Sequence, residues 1–172
     1  MGRRDRRSRK SIRVQGYDYA QAGGYFITIV ALQRECLFGE IVGGEVRLNA
    51  LGRIVAECWH AIPEHFPNAE VDAFVVMPNH IHGIIFLVGA THASPLPQPK
   101  FPHGPKSGSL GAIVGSFKSA VVRRAGIELI GGNVWQRNCY EHIIRGQAEY
   151  ERIVTYIVEN PSNWEQDEER PR

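Results

Sequence analysis

Residues 75–83 read Val-Val-Met-Pro-Asn-His-Ile-His-Gly, a turn between two apolar runs at about residues 70–77 and 81–88. Because proline and asparagine favour turns, this pattern predicts two strands that pair in antiparallel fashion. Side chains alternate between the two faces of a strand, so His80 and His82 are expected to project to the same side. Two imidazoles on one face can bind a metal ion.

Three further elements are predicted before this pair of strands. Residues 25–33 are rich in β-branched and aromatic types, which predicts a buried strand. Two glycines between short alternating runs predict a hairpin over residues 40–48. Asn49 can cap a helix over about residues 50–66, where apolar residues recur at helical spacing.

The segments after the strand pair complete a fold prediction. Residues 89–107 contain five prolines, which predicts a loop. Ser109 can cap a helix over about residues 110–125. A strand at about 134–144 and a last helix at about 147–160 complete the order βαββαβα. This order predicts an α+β, ferredoxin-like split βαβ fold, an antiparallel sheet with helices on one face and an added carboxy-terminal helix.

Length and composition are those of one globular domain. The chain has 172 residues, of which 43% are hydrophobic and 22% charged. No apolar run reaches the roughly 18 to 20 residues of a membrane-spanning helix, and the basic amino terminus does not resemble a signal segment, so a cytoplasmic protein is expected. The three cysteines include no C-x-x-C pair, which argues against a disulfide framework and a cysteine zinc site.

Basic residues are concentrated at the amino terminus. Residues 1–14 contain seven basic residues and one acidic residue, although the net charge of the chain is only +2. Between Ala73 and Tyr140 the only acidic residue is Glu128. Such segments suit a polyanion, and a solvated arm without specificity is the alternative. We therefore expect a basic arm at 1–14, a domain at 15–164 and an acidic tail at 165–172.

The last predicted helix carries a tyrosine outside its apolar stripe, which consists of Tyr150, Ile153, Val154, Ile157 and Pro161. Tyr156 lies about 100° to one side of the stripe. Asn160 follows it by four positions and so lies one turn away on the same face. Taken alone, a His-x-His pair is often a polar strand end, and a Tyr-x-x-x-Asn pair is usually a helix terminus. Their combination in one chain indicates a functional site.

Three ordered motifs of the chain together resemble one known family. They are residues 75–83, residues 134–145 (Val-Trp-Gln-Arg-Asn-Cys-Tyr-Glu-His-Ile-Ile-Arg) and residues 156–161 (Tyr-Ile-Val-Glu-Asn-Pro). In this order they resemble the REP-associated tyrosine transposases, relatives of the single-tyrosine HUH transposases of bacterial insertion sequences. The resemblance runs from about residue 11 to residue 164.

This resemblance implies a site and an activity. His80 and His82 would form the HUH motif that binds Mg²⁺ or Mn²⁺, Asn160 would be the third ligand, and Tyr156 would be the nucleophile. The implied activity is a metal-dependent single-stranded DNA endonuclease and strand transferase, a transposase that acts next to palindromic hairpins through a 5′-phosphotyrosine intermediate. A monomer is expected, with a dimer as the alternative. The sequence does not identify the base that would activate the phenol.

DNA-binding residues are expected among basic and aromatic side chains. The basic arm resembles a segment that would contact the hairpin, in part through phosphates, and the others would line the path of the strand or stack on bases. For Trp135 a position in the core is the alternative, and for Lys118 and Arg123 the alternative is a solvated helix face. The candidates are Arg3, Arg4, Arg6, Arg7, Arg9, Lys10, Arg13, Lys118, Arg123, Trp135, Arg137 and His142.

Two other functions are considered. A protein that binds palindromic DNA without cutting it would gain little from the complete set of His80, His82, Tyr156 and Asn160. An RNA-binding protein of the same sheet topology would carry exposed aromatic residues on a central strand. This chain has no aromatic-rich central strand of that type, so the nuclease is the favoured interpretation.

Overall fold

A computed structural model describes residues 20–88, 107–126 and 133–170. Its elements are β1 (Gly23–Val30), β2 (Gly39–Val42), β3 (Glu45–Leu48), α1 (Ala50–His60), α2 (Ile62–His65), β4 (Ala69–Val76), β5 (His80–Leu87), α3 (Leu110–Ala125), β6 (Tyr140–Ile144) and α4 (Gln147–Glu159). Short 3-10 helices occupy Leu32–Arg34 and Trp164–Gln166. None of these helices combines the length and the apolar character needed to cross a membrane.

A four-stranded antiparallel sheet lies at the centre, in the order β4-β5-β1-β6. β5 pairs with both β1 and β4, and β6 pairs with the other edge of β1. β1 and β4 therefore run parallel with β5 between them, which is the split βαβ topology. The predicted α+β, ferredoxin-like fold is confirmed.

The two faces of the sheet are covered by different helices. α1 and α3 pack over one face, together with the larger apolar cluster. α4 covers the opposite face, where Phe26, Ile84 and Ile157 are buried together. Because side chains alternate along β5, His80 and His82 lie on the same face as Ile84. The pair of histidines therefore lies on the side of the sheet that α4 covers.

Local signals in the sequence account for the element ends. The Asn49 Oδ1 accepts a hydrogen bond from the backbone N–H of Gly52 at 2.9 Å and caps α1, as predicted. Ser109 accepts from the backbone N–H of Ala112 at the start of α3. Gly43 and Gly44 have φ of 62° and 81°, the left-handed values that a two-residue hairpin turn requires.

Three predicted boundaries were wrong, for identifiable reasons. β1 ends at Val30 and not at residue 33, because the chain turns into the 3-10 helix that follows. The helix predicted over 50–66 breaks at Ala61, since Pro63 has no N–H to continue the ladder of α1. The strand predicted over 134–144 is confined to β6, and the earlier part forms one isolated bridge, between Trp135 and Ala31, the residue after β1.

Gly83 on β5 allows the sheet to pack against α1. A Cβ atom at this position would overlap the indole ring of Trp59. Trp59 is fully buried and stacks on Phe74 with ring centroids 4.6 Å apart, so it has no space into which to move. We expect Gly83→Ala to lower the free energy of unfolding by about 1–3 kcal/mol, measured by urea denaturation.

Gly115 in α3 is the matched control. A Cβ atom there would meet nothing within 4 Å. Gly115→Ala is expected to raise the free energy of unfolding by about 0.5–1 kcal/mol, because alanine restricts the unfolded chain and favours helix. Equal stability of the two alanine variants would contradict the close packing of β5 on Trp59.

Candidate active site

His80 and His82 lie at the start of β5 and direct their Nε2 atoms at each other across 3.0 Å. Both residues are buried, with exposures of 0% and 3%. This burial lowers the pKa of each imidazole to about 3, and the positive charge of Arg34 adds to the effect on His80. Both rings are therefore neutral near pH 7, and each has one nitrogen with a free lone pair.

Asn79 determines which nitrogen of His80 carries the proton. Its Nδ2 donates hydrogen bonds to the backbone oxygens of Arg34 and Glu169 at 3.1 and 2.6 Å. The amide oxygen therefore faces His80 and accepts a hydrogen bond from Nδ1 at 2.8 Å. Nε2 is left unprotonated and faces His82. Hydrogen bonds of this kind orient histidines that bind metals.

Residues of β1 position His82 in a similar way. Thr28 lies directly opposite His82 in the β1–β5 register, and its Oγ1 is 2.8 Å from Nδ1. A hydroxyl can accept as well as donate, so Thr28 can leave the Nε2 of His82 free as a ligand. Phe26 stacks on the imidazole with centroids 5.4 Å apart. Backbone pairing of β1 and β5 thus orients the second ring.

The spacing of the two imidazoles fits a divalent ion. Two ligand atoms about 2.1 Å from one ion and at right angles to each other lie about 3.0 Å apart. The two Nε2 atoms have this separation. Within the described ranges, a carboxylate oxygen of Asp167 joins them in a group whose ligand atoms all lie within 4.8 Å of one another.

Asn160 lies at the end of α4 and is 3% exposed. Within the described part of the chain its Oδ1 has no hydrogen-bond partner. A buried polar atom without a partner is uncommon and costs free energy, so this oxygen is free to act as a ligand. Two neutral imidazoles and one amide oxygen can bind a divalent ion, and the amide oxygen is the ligand of this set that suits Mg²⁺ or Mn²⁺.

Tyr156 extends from α4 to the same place. Its hydroxyl is 3.2 Å from the Nε2 of His82, and its ring lies edge-on against Phe26. The residue is 48% exposed, so its side chain lies at the edge of the protein and not in the core. Burial and then the negative charge of Asp167 raise its pKa, while a hydrogen bond from Asn160 acts in the opposite direction. A neutral phenol requires a cation or a base before it can attack.

The structure thus brings together the residues predicted from two distant motifs. His82 contacts both His80 and Tyr156, and Asn160 contacts the phenol. The apolar stripe predicted for the last helix is also present, because Ile157 is buried against Phe26 while Tyr156 beside it stays at the edge.

Several of the predicted DNA-binding residues contact other parts of the protein. Trp135 is a core residue beside Phe38, so its prediction as a stacking surface for bases was wrong. Lys118 donates to the backbone oxygens of Gln136 and Asn138, which ties α3 to the segment before β6. His142 contacts Glu149 at 2.8 Å near the start of α4.

The other DNA-binding candidates are exposed or outside the described residues. Arg123 near the end of α3 and Arg137 before β6 are both exposed. The seven basic residues of the arm, Arg3, Arg4, Arg6, Arg7, Arg9, Lys10 and Arg13, lie outside the described residues, as do residues 89–106 of the predicted loop.

Sequence reasoning missed three residues of this site. Thr28 is the single polar residue in the apolar run 25–30, and that interruption was a usable signal. Asn79 directly precedes His80, and a polar residue adjacent to a pair of histidines is a signal for a residue that orients a ligand. Asp167 has no such signal, because residues predicted as a separate acidic tail fold back onto the site.

Comparisons with known proteins agree with this fold. No protein-family model matches the chain. A Haemophilus influenzae protein described as uncharacterized is 43% identical over 165 residues, covering 93% of this chain and 92% of the relative. The solved structure of a REP-associated tyrosine transposase bound to a REP hairpin aligns with a TM-score of 0.60 at 22% identity, covering 88% of this chain and 73% of that one. The fold implied by the three motifs is thereby confirmed.

The buried imidazoles predict a stability that depends on pH. Because the folded pKa of about 3 lies below the ordinary 6.5, the unfolded chain binds protons between these values that the folded chain does not. The stability is thus full above pH 6.5 and decreases as the pH falls toward 3. We expect the free energy of unfolding, measured in urea with a chelator, to drop by about 2 kcal/mol per histidine between pH 7.5 and 5.

Two variants check the origin of this acid sensitivity. His80→Asn removes one buried imidazole, so the drop between pH 7.5 and 5 should be about half as large. His60→Asn alters an exposed histidine of α1 and should keep the wild-type drop. An unchanged drop in His80→Asn would contradict the neutral buried state of His80.

Proposed function

Since this chain belongs to one family with its Haemophilus influenzae relative and has the fold of a REP-associated tyrosine transposase, we propose that it cuts and rejoins single-stranded DNA with the help of a divalent metal ion. One observation carries the proposal. Tyr156 is half-exposed, and its hydroxyl lies 3.2 Å from the Nε2 of His82, which with His80 forms a buried pair of imidazoles. Neither the packing of an apolar core nor the exposure of a polar surface requires a phenol and two buried imidazoles to lie together.

The proposed reaction is a transesterification. The oxygen of Tyr156 attacks a DNA phosphorus, forms a 5′-phosphotyrosine bond and loses its proton, and the departing 3′ oxygen takes up a proton. The 3′-hydroxyl of a second strand can reverse the step and join the strands. No external energy source is needed, because one phosphodiester bond replaces another.

Each residue of the site has a part in this reaction. His80, His82 and Asn160 would hold Mg²⁺ or Mn²⁺, which when bound polarises the scissile phosphate and stabilises the developing negative charge. Asn160 also contributes a hydrogen bond that favours the ionised phenol of Tyr156. The ring of Phe26 packs against the rings of both His82 and Tyr156 and helps to hold their positions.

The proposed partner is single-stranded DNA beside a palindromic hairpin. The protein of similar fold was solved bound to a REP hairpin. This chain has seven basic residues within its first 14, and exposed Arg123 and Arg137 add positive charge elsewhere. Lysine and arginine side chains bind nucleic acid largely through phosphates, so hairpin binding should weaken steeply with salt. We propose that the protein acts as a monomer.

The test is a covalent adduct between protein and DNA. Purified protein is incubated with Mn²⁺ or Mg²⁺ and end-labelled single-stranded DNA carrying palindromes from its own genomic flanks, then separated under denaturing conditions. Wild type is expected to form the adduct, and Tyr156→Phe and a chelator control are expected to form none. Tyr140→Phe is the matched control, since this phenol is 44% exposed and lies against the same Phe26 ring.

The remaining outcomes separate the alternatives. An adduct in Tyr156→Phe would overturn the assignment of the nucleophile. Tight hairpin binding without adduct or cleavage under either metal would make the protein a non-cleaving DNA-binding protein. Stronger binding to the matched RNA hairpin than to the DNA would overturn the choice of substrate.

A further inference from the structure

We propose that Asp167 is a ligand of the divalent ion, so that the segment after α4 completes the site which His80 and His82 begin. The inference rests on the proposed metal-dependent function and extends it to residues outside the three sequence motifs. In that case a residue of the predicted acidic tail belongs to the active site. Four independent features of residues 164–170 support it.

The first feature is the state of the Asp167 carboxylate. Its side chain is only 2% exposed, and its Oδ2 lies 3.7 Å from the Nε2 of His80. Oδ1 accepts a hydrogen bond from the backbone N–H of Glu169 at 2.6 Å, which fixes the orientation of the group. Within the described residues, Oδ2 accepts no hydrogen bond. One oxygen is therefore held by the backbone while the other is directed at the imidazoles.

The second feature is an electrostatic imbalance. A carboxylate buried without a partner is costly, and within the described residues the Oδ2 of Asp167 accepts no hydrogen bond while it lies 3.7 Å from the Nε2 of His80. A divalent cation between this carboxylate and the two imidazoles would supply the missing positive charge. The two Nε2 atoms and a carboxylate oxygen of Asp167 all lie within 4.8 Å of one another, which is close enough for one ion to contact all three.

The third feature is that the segment is docked by specific contacts. Trp164 stacks on the ring of His80, with centroids 6.2 Å apart and planes at 28°. Arg34 donates to the backbone oxygen of Glu168 at 2.8 Å and forms an ion pair with Glu169 at 3.0 Å. Asn79, which orients His80, also donates to the backbone oxygen of Glu169. Asn79 thus orients the histidine and also holds the segment that carries the carboxylate.

The fourth feature is the chemistry of the donor set. His80, His82 and Asn160 offer only neutral atoms, whereas Mg²⁺ and Mn²⁺ prefer oxygen ligands and commonly bind at least one carboxylate. Asp167 would add one negative charge and one oxygen. With four protein atoms bound, an octahedral ion retains two positions, which is enough for a phosphate oxygen and a water molecule or a second oxygen.

The experiment measures binding of Mn²⁺ alone to the full-length, chelator-treated protein without DNA, by electron paramagnetic resonance of the free ion. Asp167→Asn keeps the size of the side chain and removes its charge, and we expect Mn²⁺ affinity to fall about tenfold or more. Glu168→Gln removes an exposed charge one residue further on and should change the affinity less than about twofold. His82→Gln removes a proposed ligand and should abolish Mn²⁺ binding at this site.

A second variant covers the case in which Asp167→Asn disturbs folding, which circular dichroism would reveal. Arg34→Met removes the contacts to Glu168 and Glu169 while leaving all proposed ligands in place. Because the segment would then dock less firmly, Mn²⁺ affinity should fall several-fold. Unchanged affinity in both Asp167→Asn and Arg34→Met would overturn the proposal.

The failure of this inference can be told apart from failure of the proposed function. Wild-type Mn²⁺ affinity in Asp167→Asn, lost affinity in His82→Gln and an intact covalent adduct would overturn the role of Asp167 alone. Faster adduct formation by Asp167→Asn at unchanged Mn²⁺ affinity would also overturn it, because the carboxylate would then obstruct the site and not bind the ion. Unchanged affinity in His82→Gln would overturn the metal centre as a whole.

Discussion

The pairing of β1 with β5 is the constraint on which the candidate site depends. Its register places Thr28 opposite His82 and Val30 opposite His80. The imidazoles therefore face α4 together with Ile84, while Ile81 and Gly83 lie on the opposite face, which α1 and α3 cover. A slip by one residue would exchange the two faces and turn both imidazoles into the apolar core. In the observed register Gly83 lies under Trp59, where a Cβ atom would overlap the indole ring.

The position of the phenol follows from the packing of α4. Ile157 is buried beside Phe26 and Ile84, and this contact leaves the preceding residue, Tyr156, at the edge of the helix. Tyr150 donates a hydrogen bond to Asp72 at 2.6 Å and ties the start of α4 to β4. The proposed nucleophile is thus held by a helix that is fixed at both ends. Positioning of this kind lowers the entropic cost of reaction.

Local patterns in the sequence were sufficient to predict the fold and part of the candidate site. Alternation along β5 placed the two histidines on one face, and helical periodicity separated Tyr156 from the stripe that contains Ile157. Contacts between distant segments left no such signal. The apolar rings around Trp135 come from separate elements, and Asp167 reaches the site only because Arg34 and Asn79 hold the chain after α4.

Diffraction from crystals grown with Mn²⁺, recorded near the manganese absorption edge, tests the proposed metal centre most directly. We predict one strong anomalous peak at bonding distance from the Nε2 atoms of His80 and His82, on the side of the sheet that carries Tyr156. A peak bound to other residues, or no peak while a hydrogen bond joins the two Nε2 atoms, would contradict a metal centre at this position.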